Sequence, residues 1–429
     1  MEGGLDKTNA MDGGSGGVST VPQSVGPIAL FMDAPSSSQS CLPSPVIWMA
    51  GSLIVLMLYI IDVRSLQHGI IGLSEMWGRD FANVWTGGKL ALSGQLNLLY
   101  DVARYRSAEH ALYGTVGVHN YSYPPLALFL DIPFALLPYG AALTMWLVGT
   151  GLLFVLAARP WWPEGRVPWL LLLTPAAMMN IWAGHYGFLI GALFLAGWHW
   201  LPDRPRRAGL CFGLMALKPH VAVLVPVILL LRGDWRTVAT AALTVGLLVL
   251  ASALAFGPEL WAQYLTVTAG VQARMIDPGT EFYGLMATSL ASALLRQHVP
   301  AAIAYGLQGV AIAGVAIGVT VATVRRAPPA TLALLAATGT FVILPYAFNY
   351  DLTIVMLAAL VAYGRPDASL MEKAVALTAF LTPQWGMVAS AIGVPLTPIA
   401  LISLFAVELR RQVRSGRDAP AGAGAARSA

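Results

Sequence analysis

The chain has 429 residues, of which 57% are apolar and only 11% are charged, and its mean hydropathy is +0.68. Soluble proteins carry roughly 25% charged residues, so this composition excludes a water-soluble globular protein with an ordinary surface. Two cysteines exclude a disulfide scaffold and a cysteine-based zinc cluster, and a formal charge of +4 gives no indication of nucleic-acid binding.

The sequence divides into a polar tail, a long apolar domain and a second tail. Residues 1–44 are rich in Gly, Ser and Pro, and they are predicted to be a disordered cytoplasmic tail because they have too little apolar surface to offset chain entropy. A cleaved signal peptide would need a basic start and an early apolar run, and neither is present. Residues 45–409 are predicted to form one transmembrane domain, and residues 410–429 a basic, Ala- and Gly-rich cytoplasmic tail.

Apolar segments recur throughout the transmembrane domain. They are 46–63, 124–138, 139–158, 168–182, 186–201, 208–231 (broken at Lys218-Pro219), 237–256, 301–324, 329–345, 351–363, 371–383 and 387–407. Several are shorter than a full crossing needs, so we expect an all-α polytopic bundle of about 10 to 12 transmembrane helices with re-entrant pieces. Broken helices persist in a membrane only where protein or a water-filled cavity satisfies the freed backbone groups, and an interior cavity is therefore predicted.

Basic residues lie in loops that can all face the same side. The clusters are Arg159 with Arg166, Arg204 with Arg206 and Arg207, Arg232 with Arg236, Arg325 with Arg326, and Arg410 with Arg411, Arg414 and Arg417. The positive-inside rule places them in the cytoplasm. The loops 64–120 and 258–298, the turn at His185 and the segment 345–351 then fall on the non-cytoplasmic face, provided that 124–138 is re-entrant or slanted.

The first outer loop contains amphipathic stretches. Residues 79–92 are predicted to form a helix lying on the membrane surface, with Phe and Trp inward. Tyr121 and Tyr123 precede two prolines. They are predicted to lie at the level of the lipid headgroups, where the apolar ring of a tyrosine contacts lipid and its hydroxyl contacts water.

Asp80 has two interpretations. It is either a surface aspartate paired with Arg79, Lys89 or an arginine of a neighbouring loop, or a carboxylate at the cavity mouth that accepts a proton from a substrate hydroxyl. Spacing alone does not decide between them.

Lys218 stands in an otherwise apolar segment, where an ionisable group is costly. It either snorkels or pairs with Asp351 or Asp131, or it contacts a lipid phosphate that leaves during a reaction, since a cation stabilises the charge that develops there. His220 could do the same or cap the helix. Asp131 is expected to be helix-terminal or paired, because an isolated carboxylate in lipid is costly.

Three further residues carry open alternatives. Asp351 stands at a predicted helix start, where capping is the favoured role and contact with a sugar hydroxyl is the alternative. His185 is a satisfied polar residue at a helix turn or a substrate ligand. Arg274 is a snorkelling interfacial residue or part of an acceptor pocket.

The chain contains six short motifs in a fixed order: Asp80-Phe81, Leu99-Tyr100-Asp101, Tyr123-Pro124-Pro125-Leu126, Leu217-Lys218-Pro219-His220, Gly257-Pro258-Glu259-Leu260-Trp261, and the run from Pro345 to Leu352. Their order resembles glycosyltransferase family 87, polyprenyl-phosphate-sugar-dependent membrane transferases with a GT-C fold that include an α-1,2-mannosyltransferase. The resemblance spans roughly residues 46 to 410. Asn349 or Tyr350 stands where a mannosyltransferase-like histidine occurs in the last motif.

The resemblance implies a GT-C-like bundle and an inverting transfer in which Asp80 is the general base. The donor would be a polyprenyl-phosphate sugar, with mannose favoured over arabinose, galactose or an aminosugar, and the acceptor a lipid or glycan outside the plasma membrane. The candidate substrate-binding residues are Lys218, His220, Tyr121, Tyr123, His185, Asn349, Tyr350, Asp351 and Arg274. No cofactor is implied, and a divalent metal is left open. The alternatives are a transporter or lipid-linked sugar flippase, and a non-catalytic scaffold.

Overall fold

The computed structural model describes residues 42–67, 78–113, 119–162, 168–274 and 281–418, which form helices joined by short turns. These residues contain no β-strand, and one isolated β-bridge joins Ala287 to Phe348. The prediction of an all-α protein is confirmed. The tails 1–41 and 419–429 lie outside the described residues.

The α-helices are numbered in chain order. The α-helices of the described residues are α1 (Pro45–Gln67), α2 (Phe81–Leu92), α3 (Val102–Tyr113), α4 (Leu128–Ala135), α5 (Tyr139–Ala158), α6 (Pro175–Ala183), α7 (Gly187–Trp200), α8 (Pro205–Leu214), α9 (Leu224–Arg232), α10 (Trp235–Phe256), α11 (Pro258–Arg274), α12 (Glu281–Met286), α13 (Leu290–Arg296), α14 (Ala301–Val324), α15 (Pro329–Ile343), α16 (Thr353–Gly364), α17 (Leu370–Ala391) and α18 (Leu396–Asp418). Short 3₁₀ turns occur at Leu96–Leu98, Pro125–Ala127, Arg159–Trp161, Pro168–Leu173, Met215–Leu217, Pro219–Ala222 and Asn349–Leu352.

The apolar helices identify a membrane protein. Among the described residues, three segments are long and apolar enough to cross a bilayer: Tyr139–Trp161, Trp235–Phe256 and Ala301–Val324. On α10, Leu243, Leu247, Leu250 and Leu254 follow one another at helical spacing and are all more than half exposed, as a lipid-facing row requires. Shorter apolar helices accompany these three. The count of 10 to 12 crossings, an estimate from segment lengths, stays a prediction.

Helices are broken where the sequence predicts a cavity. The segment 208–231 is interrupted as expected: α8 ends at Leu214, two 3₁₀ turns follow, and α9 begins at Leu224. Pro219 cannot donate an N–H to a continuous helix, and Lys218 before it has an extended φ of −143°. The segment 124–138 contains the 3₁₀ turn Pro125–Ala127 and the eight residues of α4, together about 18 Å of helix and well short of the hydrocarbon thickness of about 30 Å.

The predicted boundaries near the C-terminus are wrong. The sequence predicts separate segments 371–383 and 387–407, whereas α17 runs unbroken from Leu370 to Ala391 through Pro383. The chain turns later, at Gly393 (φ +79°), a conformation that favours glycine. α18 then continues to Asp418, past residue 410, where the C-terminal tail is predicted to begin.

The helix α2 packs inside the protein. Eight of its twelve residues are buried, including the polar Asn83 and Thr86, so α2 is covered by other parts of the protein. That it lies at the membrane surface stays a prediction. Its close approach to α4 depends on two adjacent glycines, Gly87 and Gly88. A Cβ on Gly88 would lie 2.5 Å from the Ala135 Cβ and 2.6 Å from the Asp131 carbonyl oxygen.

Replacing Gly88 with Ala is therefore expected to destabilise the protein by about 1–3 kcal/mol, the usual cost of overpacking, and to displace the helix that carries Asp80. The contacts are with backbone and with a short side chain, which cannot rotate away. Thermal unfolding in detergent measures the loss. The control is Gly140→Ala on α5, where nothing lies within 4 Å of the added Cβ. Equal unfolding midpoints for the two variants would contradict the packing argument.

A buried ion pair joins the end of α16 to α18. The two guanidinium nitrogens of Arg365 donate to the two carboxylate oxygens of Glu408 at 2.6 and 2.7 Å, and both side chains are buried. Breaking such a pair leaves an uncompensated buried charge.

Glu408→Gln is accordingly expected to lower the free energy of unfolding by about 3–5 kcal/mol. A chemical unfolding titration in detergent would measure it. The exposed Arg410 on the same helix supplies the control, since Arg410→Gln should change stability by about 0.5 kcal/mol or less. A Glu408 variant as stable as that control would show that the pair contributes nothing.

Candidate active site

A polar cavity lies where the broken helices meet the first loop. Its empty volume is about 820 Å³, counting the space open to solvent at its mouth. Seven of the ten predicted site residues line it, and they come from distant parts of the chain: Asp80, Tyr123, His185, Lys218, His220, Tyr350 and Asp351.

Asp80 is a buried carboxylate at the cavity, 7% exposed. It precedes the first residue of α2, where the helix dipole favours a negative charge. Its backbone N–H donates to the Ala183 carbonyl at 2.8 Å, which fixes its position against α6. The Oδ2 atom has no hydrogen-bond partner among the described residues, so it can accept a hydrogen bond from a ligand.

Asp80 is not a surface residue, and two of the partners suggested for it lie against aromatic rings. Lys89 lies over the Trp85 ring, 4.7 Å from its centroid. Arg79 lies against the ring of Trp182 at 5.4 Å. Both candidate partners are therefore engaged with aromatic faces, and the carboxylate itself is buried.

Lys218 is the centre of a charged cluster. Its Nζ donates to Asp351 Oδ1 at 2.5 Å and lies 3.4 Å from His185 Nδ1. All three side chains are buried, and Tyr350 stacks on the His185 ring with centroids 4.2 Å apart. Pairing of Lys218 with Asp351 is thus confirmed, whereas the capping role of Asp351 is wrong: its carboxylate holds the ammonium group.

His185 lies in the turn between α6 and α7, as expected. Burial, and after it the neighbouring Lys218 ammonium, hold the pKa of His185 well below its usual value. Its ring is therefore neutral at physiological pH and does not add a second positive charge beside Lys218. The Tyr123 hydroxyl approaches its Nε2 at 3.4 Å.

The two tyrosines of the first loop belong to the core. Tyr121 and Tyr123 are 3% and 6% exposed, so both pack inside the protein, and their position at the headgroup level stays a prediction. The Tyr121 hydroxyl donates to Asp131 Oδ2 at 2.6 Å, and the Tyr186 hydroxyl donates to Oδ1 at 2.9 Å. Asp131 is therefore paired as predicted, and Tyr121 lies behind the cavity wall rather than in it.

One other candidate, Asn349, is not among the described residues that line the cavity. The Asn349 side chain donates through Nδ2 to the Pro383 carbonyl at 2.6 Å, and this contact ties the last motif to α17. Arg274 is the final residue of α11, and its side chain lies outside the described residues. Within those residues no group of three or more His, Cys, Asp or Glu side chains could hold a metal ion.

Several lining residues are absent from the sequence-based candidates. They are Asn83, His119, Asn120, Ser122, Tyr264 and Tyr346. Asn83 could have been found, since it follows Asp80 by three residues and residues at that spacing share one face of a helix. The others are neutral polar or aromatic side chains in segments without periodicity, which give no contrast in sequence.

Comparison with known proteins gives one match. The model of glycosyltransferase family 87 matches residues 121–345, just over half of the chain. These residues include the predicted Tyr123, His185, Lys218 and His220, whereas Asp80 and Asp351 lie outside the matched range. None of the curated proteins or solved structures compared with the chain matches it.

Proposed function

The chain belongs to glycosyltransferase family 87, and on that premise we propose that it moves a sugar, with mannose favoured, from a polyprenyl-phosphate donor to a lipid or glycan acceptor. One observation carries the proposal. One cavity is lined by both Lys218 and the buried carboxylate of Asp80, whose Oδ2 has no hydrogen-bond partner among the residues that the structure describes. Inverting transfer needs these two groups: a base for the incoming hydroxyl and a cation for the departing phosphate.

The proposed reaction is one displacement. Asp80 Oδ2 takes the proton of an acceptor hydroxyl as that oxygen attacks the anomeric carbon of the donor. The bond from the anomeric carbon to the phosphate oxygen breaks, and the lipid phosphate leaves with the electron pair. Attack on the side away from the leaving group inverts the anomeric centre, and Asp80 then returns its proton to water.

Lys218 suits the leaving group because its ammonium is held in place before substrate binds. Asp351 and His185 fix its position, so little reorganisation is required when charge develops on the phosphate. A preorganised cation in a buried site stabilises such charge more than water does.

The basic loops support catalysis on the non-cytoplasmic side of a plasma membrane. α5 begins beside the site, where the Tyr139 hydroxyl donates to the Gly78 carbonyl, and 20 residues later it meets Arg159. That length is about 30 Å, one hydrocarbon thickness. α16 likewise begins just after Asp351 and ends before Arg365. Arginines at the ends remote from the cavity support a cytoplasmic location for those ends.

The test is sugar transfer by the purified chain in lipid nanodiscs. Polyprenyl phosphates carrying labelled mannose, galactose or arabinose are incubated with a membrane lipid extract, and nucleotide sugars serve as control donors. We expect labelled product from a polyprenyl-phosphate sugar, with the anomeric configuration opposite to the donor's. Absence of transfer from every such donor, together with movement of labelled donor across proteoliposome membranes, would favour the flippase instead.

A further inference from the structure

Helix α3 supports one wall of the cavity through three side-chain contacts. Tyr105 donates its hydroxyl to Asn83 Oδ1 at 2.8 Å, and Arg106 donates to Asn120 Oδ1 at 3.1 Å. One turn after Tyr105, Glu109 Oε1 lies 3.4 Å from His119 Nδ1. Asn83 and Asn120, which line the cavity here, are thus each held by a hydrogen bond from α3, and His119 lies beside the Glu109 carboxylate.

These contacts leave free hydrogen-bonding groups in the wall. Because the Oδ1 atoms of Asn83 and Asn120 are occupied, their amide N–H groups remain as donors. His119 is 5% exposed, and its Nε2 has no hydrogen-bond partner among the described residues. Its Nδ1 lies toward the Glu109 carboxylate, so Nε2 is the ring nitrogen left for a ligand.

The chemistry of the wall suits a neutral ligand rich in hydroxyl groups. Two amide donors and an imidazole nitrogen match hydroxyls, which both donate and accept. Of the described lining residues, Lys218 is the one that carries a lysine or arginine charge. The cavity therefore has a cationic group suited to a phosphate and a neutral polar wall that lacks one.

We propose that Asn83, His119 and Asn120 form the subsite for the sugar or polyol hydroxyls of the acceptor, with Glu109 as the residue that positions His119. The assignment to the acceptor rests on the proposed function. Asn83 lies one helical turn after Asp80, so hydroxyls bound by Asn83 neighbour the hydroxyl that Asp80 would deprotonate. A purely structural role would not require an unpartnered imidazole nitrogen at a cavity.

Binding of two probes without any reaction tests this subsite. Hexyl α-D-mannopyranoside represents the hydroxyl-rich ligand and farnesyl phosphate represents the anion, each titrated by NMR against the full chain in nanodiscs. His119→Ala and Asn120→Ala are expected to raise the Kd of the glycoside about tenfold, the effect of losing one or two hydrogen bonds. The Kd of farnesyl phosphate should change less than twofold. His110→Ala, at an exposed position of α3, should change neither.

Glu109→Gln distinguishes positioning from folding. It should weaken glycoside binding several-fold while farnesyl phosphate still binds as it does to the wild type, because the lysine is untouched. Equal loss of both probes, or a wild type that does not bind the glycoside, would overturn the subsite. If the chain transfers sugar but its glycoside binding does not depend on His119, the subsite is overturned and the proposed reaction stands. His119-dependent binding without transfer from any donor would remove the proposed reaction while leaving a hydroxyl-binding wall.

Discussion

Replacing Asp80 with Asn is expected to lower the rate of sugar transfer about 10³-fold, within the range attributed to a general base. The amide has nearly the shape of the carboxylate, but it cannot take the acceptor proton. Asp80 is held by its backbone N–H bond to Ala183, and no described residue hydrogen-bonds to its Oδ2. The variant should therefore be nearly as stable as the wild type. Initial rates with a labelled polyprenyl-phosphate sugar give the comparison.

Asp101 provides the matched control. It lies in the same loop, its side chain is 44% exposed, and it accepts a bond from the Arg104 backbone N–H at the start of α3. Asparagine can accept that same bond, so Asp101→Asn should transfer sugar at the wild-type rate. If Asp80→Asn also retained wild-type rates at equal protein level, the base would have to be another group.

Long apolar runs made most of the fold predictable from sequence. The segment 301–324 coincides with α14 because an unbroken apolar stretch of membrane length has one stable outcome, a helix. The division near Pro383 was not predictable in the same way. A proline inside a helix costs a hydrogen bond, yet α17 continues through it and is held by Gln384, which accepts from the Val55 N–H and donates to the Pro175 carbonyl.

Charge made part of the site predictable. Lys218 and Asp351 stand out because ionisable groups are rare among apolar residues, but their pairing joins positions 133 residues apart. Composition could not favour Asp351 over Asp131 as the partner. The wall formed by Asn83, His119 and Asn120 was missed because neutral polar residues in a mixed loop look like ordinary surface. These residues can be recognised only in the folded structure, where α3 packs against them.

Lys218→Met should have the second large effect, since it removes the cation while keeping an unbranched side chain. We expect the transfer rate to fall at least about 10²-fold. That is the effect of losing one group that donates a hydrogen bond to the negative charge of a transition state. The variant also leaves the buried Asp351 carboxylate without its ammonium partner. Among the described ion pairs, its remaining neighbour is His185, at 3.6 Å. The free energy of unfolding should therefore fall by about 3–5 kcal/mol.

The double variant Lys218→Met with Asp351→Asn separates these two effects. Removing both charges abolishes the unpaired carboxylate, so unfolding in detergent should return close to the wild-type midpoint. Transfer should stay low, because the leaving phosphate still lacks its cation. Lys373→Met, at a half-buried position of α17 outside the cavity, should leave transfer unchanged. If transfer recovered together with stability in the double variant, the ion pair would serve folding alone, and another group would have to receive the phosphate.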